Sequence, residues 1–218
     1  VAVTARGRFI TLEGGEGAGK STHARALAAW LRAMGRDPVL TREPGGTPHA
    51  EALRAMLLDG LVAPFGAEAE ATVFAIARSD HMARIIRPAL SEGRWVVCDR
   101  FIDSTRAYQG AAGVADETLL ALERIAIGAD RPDLTLVFDL PAAEGLARAA
   151  RRNEGADRFE QDVLAVHEAR RAAFLAIARS EPDRCVLIDA TLPVAAVSGA
   201  VEAAVLARFG AEIEGRGG

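Results

Sequence analysis

Short apolar runs punctuate this chain at regular intervals: Phe9-Ile10-Thr11-Leu12, Pro38-Val39-Leu40, Trp95-Val96-Val97-Cys98, Leu134-Thr135-Leu136-Val137-Phe138 and Cys185-Val186-Leu187-Ile188. Each has the length of a strand, and each is almost continuously apolar rather than alternating. That pattern predicts strands covered on both faces. The stretches between them carry helical periodicity, over about 20–34, 47–58, 67–91, 116–128, 141–153, 160–179 and 193–209. Thr47-Pro48 is a good helix start, an N-cap followed by proline at the first helical position. Strands alternating with amphipathic helices predict an α/β fold with a parallel sheet of βαβ units, whose ligands gather outside the carboxyl ends of the strands. No 20–50-residue repeat and no linker rich in Gly, Ser or Pro divides the chain. Its 218 residues therefore read as one domain, 1–218, with a core of about 8–209 and a disordered tail from about Gly210 to Gly218.

The first three runs end in polar or glycine-containing residues: a Gly-rich loop, Thr41-Arg42-Glu43-Pro44-Gly45-Gly46, and Asp99-Arg100. Three strand ends thus converge on one edge. The Gly-rich loop is Gly14-Gly15-Glu16-Gly17-Ala18-Gly19-Lys20-Ser21, followed by Thr22, and Lys20 is the single lysine among 26 basic residues. A chain that uses arginine wherever a positive charge suffices keeps its one ammonium where a planar fork would not fit. The segment matches G-x-x-x-x-G-K-[ST], lying between an apolar strand and an Ala/Leu-rich helix. In that motif backbone N–H groups wrap a polyphosphate, Lys reaches the outer phosphates and Ser holds Mg²⁺. The helix N-terminus adds partial positive charge there.

Composition narrows the partners. A formal net charge of −4 argues against wholesale nucleic-acid binding and concentrates positive charge in one pocket. No apolar run approaches the ~18 residues of a spanning helix, and Val1–Gly7 lacks the apolar segment of a signal peptide, so the expectation is a cytoplasmic protein with no membrane partner. Cys98 and Cys185 lie inside strand-like runs and read as buried, reduced thiols.

Several residues beyond the Gly-rich loop carry chemistry. Asp99 ends the third apolar run, where an acidic side chain holds the water around Mg²⁺; a solvated strand-end Asp is the bland alternative. Arg100 beside it could clamp a second phosphate bidentately, which points to an acceptor that is itself a phosphate ester. Pro44, Gly45, Thr47 and Pro48 are explained by a rigid turn and a capped helix, whereas Arg42 and Glu43 are not. Phe74 and Arg78 share a helix face and could offer a stacking ring and a guanidinium to a base, although Phe74 alone reads as core. Arg148, Arg151 and Arg152, followed by Asn153-Glu154-Gly155-Ala156-Asp157-Arg158, describe either a solvated face or a mobile lid over about 149–158. A guanine-reading Asn-Lys-x-Asp segment is excluded, since there is no second lysine.

Taken together, Phe9 through Thr22, Thr41 through Thr47, Asp99-Arg100-Phe101-Ile102-Asp103-Ser104-Thr105 with Ala107-Tyr108-Gln109-Gly110, and Arg131-Pro132-Asp133-Leu134-Thr135 resemble the signature blocks of bacterial thymidylate kinases over about residues 8–209. The resemblance implies a nucleoside-monophosphate-kinase-like P-loop fold on a five-stranded parallel sheet, a homodimer, and transfer of the ATP γ-phosphoryl to dTMP with Mg²⁺. By the same carry-over, Gly14 to Thr22 and Lys20 hold ATP, Ser21 and Asp99 serve the metal, and Arg100 and Arg54 grip the dTMP phosphate. Phe74 stacks on thymine and Arg78 bonds its carbonyl edge, with Thr105 and Gln109 completing the base pocket. Thr105 stands where relatives often carry Ser. Tyr108 crowds the sugar 2′ position, Glu16 sits near the 3′-hydroxyl, and Glu43 belongs to the same pocket. Relatives place a transition-state arginine either in the P-loop or in the lid. Glu16-Gly17-Ala18 supplies none here, so Arg151, Arg152 and Arg158 are the candidates, with Arg148 on the packing or adenine side. Two rivals stay open on sequence: a small kinase for another acceptor, and a nucleotide-dependent regulatory protein that transfers nothing.

Overall fold

The computed structural model describes residues 6–151 and 158–214. Five parallel strands, β1 (Phe9–Gly14), β2 (Val39–Arg42), β3 (Val96–Asp99), β4 (Leu134–Asp139) and β5 (Cys185–Asp189), form one sheet in the order β2-β3-β1-β4-β5. All five coincide with the apolar runs to within two residues at each end. Leu12 is in register with Asp99, and Asp99 with Arg42. The strand ends that carry the Gly-rich loop, Asp99-Arg100 and Arg42-Glu43 therefore lie side by side at the carboxyl edge.

The central strands β1, β3 and β4 are buried on both faces, and their alternating side chains feed two different cores. Ile10, Leu12, Val97, Leu134 and Leu136 pack with Leu27 and Leu31 of α1 (Lys20–Ala33) and with Val197, Val201, Val205 and Phe209 of α9 (Val194–Glu214). Phe9, Val96 and Cys98 face the opposite side. They meet Met82, Ile86 and Leu90 there, together with Phe101, Ile102 and Ile127. The outer strands depart from the expectation of two covered faces: Leu40 in β2 and Leu187 in β5 are 38% and 46% exposed. An edge strand has a neighbour on one side only, so its helical cover is incomplete.

The remaining helices are α2 (Pro48–Leu58), α3 (Ala67–His81), α4 (Arg87–Ser91), α5 (Ile102–Ala111), α6 (Asp116–Ile127), α7 (Ala142–Ala150) and α8 (Leu164–Ser180). Thr47 caps α2 by accepting the Ala50 N–H at 3.0 Å. The stretch predicted as one helix over 67–91 is helical throughout, but α3 joins α4 through a π-helical turn, Met82–Ile86. Pro88 has no N–H to donate and its ring crowds the preceding turn, which favours the wider winding. Helix α5 is absent from the sequence-based expectation. The predicted disordered tail is also corrected for residues 210–214, because α9 continues to Glu214 and seats Phe209 and Ile213 in the core.

Helix α9 bears on the expectation that no segment is apolar enough to span a membrane. By length and composition Val194–Ile213 is apolar enough to cross a membrane, at a mean hydropathy of 1.5. The value comes from Ala and Val distributed among Ser198, Glu202, Arg208 and Glu212 rather than from an uninterrupted apolar run. In the fold, its stripe at four-residue spacing lies on α1 and the sheet.

Candidate active site

A cavity of about 480 Å³ opens at the carboxyl edge of β1, β2 and β3. Its floor is the Gly-rich loop. Gly14, Gly17 and Gly19 all have positive φ, 138°, 67° and 88°, so the loop turns through conformations that side chains resist. Ala18, between the lining residues Gly17 and Gly19, packs into the core. Lys20 lies in the first turn of α1 and donates to the Gly15 carbonyl at 2.6 Å. Burial and then the neighbouring Arg100 draw its ammonium down to about 8, against the pull of Glu16 and Asp99. The Ser21 hydroxyl donates to Asp99 Oδ2, and Ser21, Thr22 and Asp99 all line the cavity.

Arg100 stands at φ 68°, a left-handed conformation that costs a non-glycine residue about 1–3 kcal/mol and persists only where surroundings enforce it. Its own N–H donates to the Leu12 carbonyl at 2.9 Å. The guanidinium donates to Glu16 Oε1 at 2.6 Å, to the Gly14 carbonyl and to the Ser104 hydroxyl, both at 3.2 Å. Tyr108 also donates to Glu16 Oε1, at 2.5 Å. Burial would push the Glu16 carboxyl up, but Arg100, Lys20 and the Tyr108 hydroxyl hold it down at about 2. One loop carboxylate thus orients both an arginine and a phenol across the cavity.

The opposite wall is built on α3 and α5. Arg78, 4% exposed, donates through Nε to Glu43 Oε2 at 2.7 Å and through Nη2 to the Phe101 carbonyl and the Thr105 hydroxyl at 3.0 and 3.1 Å. Its Nη1 makes no hydrogen bond among the described residues. His81, fully buried, bridges Glu43 Oε1 and the Thr41 hydroxyl. Glu43 therefore lines the cavity with both oxygens already engaged, as a support for Arg78. Gln109 is among the lining residues, and its buried Oε1 lacks a partner among the described residues. Phe74 completes this wall, and Arg54 reaches it from α2 while donating to the Pro44 carbonyl at 2.9 Å.

Other candidates sit elsewhere. Arg158 pairs with Glu70 Oε1 at 2.5 Å and packs over the Phe159 ring, outside the cavity lining. Arg148 bonds the Ala190 carbonyl and Glu144, and Arg151 is exposed at the end of α7. Arg152 and most of the lid segment, residues 152–157, lie outside the described residues. Three contributors escaped the sequence reading. Phe159 lines the cavity and meets Tyr108 edge-on, ring centroids 5.8 Å apart. Arg170 backs Tyr108 with its guanidinium 4.4 Å from the ring centroid, and also binds the Phe159 carbonyl and Asp162. Glu13, fully buried, accepts from Phe101 N, Ser104 N and Ser104 Oγ. Burial and then the charge of Asp103 push its carboxyl up to about 7, against those hydrogen bonds and Arg100. Arg170 and Phe159 sit at helical and loop positions with no local motif. Glu13 does lie within a quoted block, but a carboxylate on an apolar strand gives no hint of what it faces.

Comparison with known proteins gives one answer. Residues 12–201 match the family model described as thymidylate kinase. Thymidylate kinase of Bradyrhizobium sp. (strain ORS 278) is 55% identical over 207 residues, covering 94% of this chain and 92% of that protein. That of Caulobacter vibrioides is 52% identical over 206 residues, covering 94% and 99%. Among solved structures, the thymidylate kinase of Ehrlichia chaffeensis superposes with a TM-score of 0.73 at 31% identity, over 92% of this chain and 99% of that one. With a family model matched over residues 12–201 and relatives more than half identical along nearly the whole chain, this chain belongs to the thymidylate kinase family.

Proposed function

We propose that this chain transfers the γ-phosphoryl group of ATP to dTMP, giving dTDP and ADP, on the path to dTTP. A phosphate oxygen of dTMP attacks the γ-phosphorus while the bond from that phosphorus to the β–γ bridging oxygen breaks, and ADP leaves with that oxygen. Such transfer is largely positioning and charge stabilisation, and the chain's residues fit those tasks. The loop amides and Lys20 receive the ATP phosphates, and Arg100 with Arg54 receives the dTMP phosphate. Phe74 stacks on the base, while Arg78 Nη1 and the Gln109 amide offer hydrogen-bonding groups to its edge beside Thr105. Tyr108, fixed between Glu16 and Arg170, stands where it restricts the sugar. The observation that carries this reading is the strained Arg100 between the P-loop and the acceptor wall, a fixed cation suited to a second phosphate.

Ser21 and Asp99 present a hydroxyl and a carboxylate to each other at the cavity floor, a hard oxygen donor set that fits Mg²⁺ with most of its waters retained. When bound, the ion neutralises charge on the ATP phosphates. Arg151, Arg152 and Arg158 are proposed to supply the transition-state guanidinium from the lid. We also assign a homodimer, with Ile76 on α3 and Ile125 on α6, 54% and 75% exposed, as the apolar face that supports it, and a cytoplasmic location in keeping with two free cysteines. Incubation with γ-labelled ATP and dTMP followed by mass spectrometry tests the reaction: label in dTDP supports it, and label only in inorganic phosphate refutes it.

A further inference from the structure

Glu13 closes β1 immediately before the phosphate loop, is fully buried, and has no part in the transfer just described. Its surroundings define what it does. Arg100 Nη1 can only donate, so the Ser104 hydroxyl accepts from it at 3.2 Å. That leaves the hydroxyl proton to point at Glu13 Oε2, 2.6 Å away. Oε1 takes the N–H of Phe101 at 2.7 Å and of Ser104 at 3.2 Å. All three hydrogen bonds that Glu13 makes here come from donors, which favours its ionised, purely accepting form against the burial and the Asp103 charge that push the carboxyl up.

The backbone on both sides of Arg100 is tied to the same strand. The Arg100 N–H binds the Leu12 carbonyl and the Phe101 N–H binds Glu13 Oε1, so the left-handed turn is pinned before and after. The same two N–H groups taken by Oε1 are free donors at the start of α5, whose N-cap residue, Phe101, has no side-chain acceptor to offer. We propose that Glu13 is the positioning residue for Arg100: it pins the strained turn and, through Ser104, sets the orientation of the guanidinium that receives the acceptor phosphate. This rests on the reading of Arg100 as the dTMP-phosphate arginine.

Glu13→Gln isolates the relay. An amide oxygen still serves the two backbone N–H groups, but the amide nitrogen faces Ser104 and turns the hydroxyl proton toward Arg100. The measurement is steady-state kinetics for both substrates, with thermal melts to establish folding. The expected result is a KM for dTMP raised about tenfold, the scale of one charge-assisted hydrogen bond, with KM for ATP within about twofold of wild type. In the Ser104→Ala background, where no relay remains, Glu13→Gln adds no further rise. If Glu13→Gln fails to fold, Ser104→Ala alone carries the test, with a severalfold rise confined to dTMP. Unchanged dTMP KM in the folded variant, parallel rises for both substrates, or additive effects of the two substitutions would overturn the proposal and leave the reaction standing. Wild-type protein without dTMP turnover would overturn the reaction and this role with it.

Discussion

Replacing Gly145 by alanine probes how tightly the phosphate loop is seated. Gly145 lies in α7, and its backbone presses on the loop at Glu16-Gly17. A methyl built on Gly145 overlaps the Glu16 carbonyl oxygen by about 1 Å relative to an ordinary C···O contact. In the other direction, a methyl on Gly17 falls 2.7 Å from the Gly145 carbonyl carbon. Backbone meets backbone, so no rotamer change relieves the overlap and either α7 or the loop must shift. Overpacking costs about 1–3 kcal/mol, offset by about 1 kcal/mol of helix propensity gained over glycine. The net, about 0–2 kcal/mol, lowers Tm by up to about 8 °C at this chain length. Catalysis suffers more, because a displacement of about 1 Å at a positioning element costs about 10²-fold. Gly199→Ala in α9 is the control: nothing lies within 4 Å of the added methyl, so a gain of about 0.4–1 kcal/mol and unchanged kinetics are expected. Melting curves and kcat/KM for ATP on both variants read this directly. A Gly145→Ala protein with wild-type kcat/KM and a raised Tm would refute the reasoning.

Other outcomes follow from the site. Lys20, drawn down to about 8, is about three-quarters neutral at pH 8.5 in the free protein, and bound phosphates favour its charged form. ATP binding should therefore take up about 0.7 proton at pH 8.5 and almost none at pH 6.5, measured by titration calorimetry in buffers of different ionisation enthalpy; no uptake at pH 8.5 would contradict the placement. Arg78→Lys cannot reproduce the fork that joins Glu43, Phe101 and Thr105, so it should lose about 2–3 kcal/mol in urea denaturation and raise the KM for dTMP. An unchanged denaturation midpoint would argue against the buried pair. Arg158→Ala should lower kcat more than it weakens dTMP binding, and an unchanged kcat would remove Arg158 from the transition-state role.

The five strands and the phosphate loop were legible in the sequence because their signals are local: apolar runs bounded by glycine and charge. Helix α5 was not. It buries Asp103, Thr105 and Gln109 alongside Ile102, Ala107 and Tyr108, so its inward face mixes polar and apolar residues and gives no clean apolar stripe, and its N-terminal acceptor arrives from Glu13 on a distant strand. Thr105, Tyr108 and Gln109 were nonetheless named as candidates, through the family's signature block rather than through periodicity. The resemblance also placed Glu43 in the acceptor pocket, but only the fold reveals that His81, far along the chain, holds its second oxygen. Arg158 shows the opposite limit: an arginine in a polar, Gly-containing stretch has no local mark that predicts pairing with Glu70.

The most direct measurement is ADP release with ATP and Mg²⁺ across dTMP, dUMP, the ribose analogue of dTMP, dCMP, dGMP, AMP and thymidine. Strong turnover with dTMP, weaker turnover with the ribose analogue and none with thymidine is expected from Arg100 as a phosphate clamp and Tyr108 as a sugar gauge. Preference for another monophosphate would contradict the base pocket of Phe74, Arg78 and Gln109, and ADP release indifferent to every acceptor would contradict phosphoryl transfer itself.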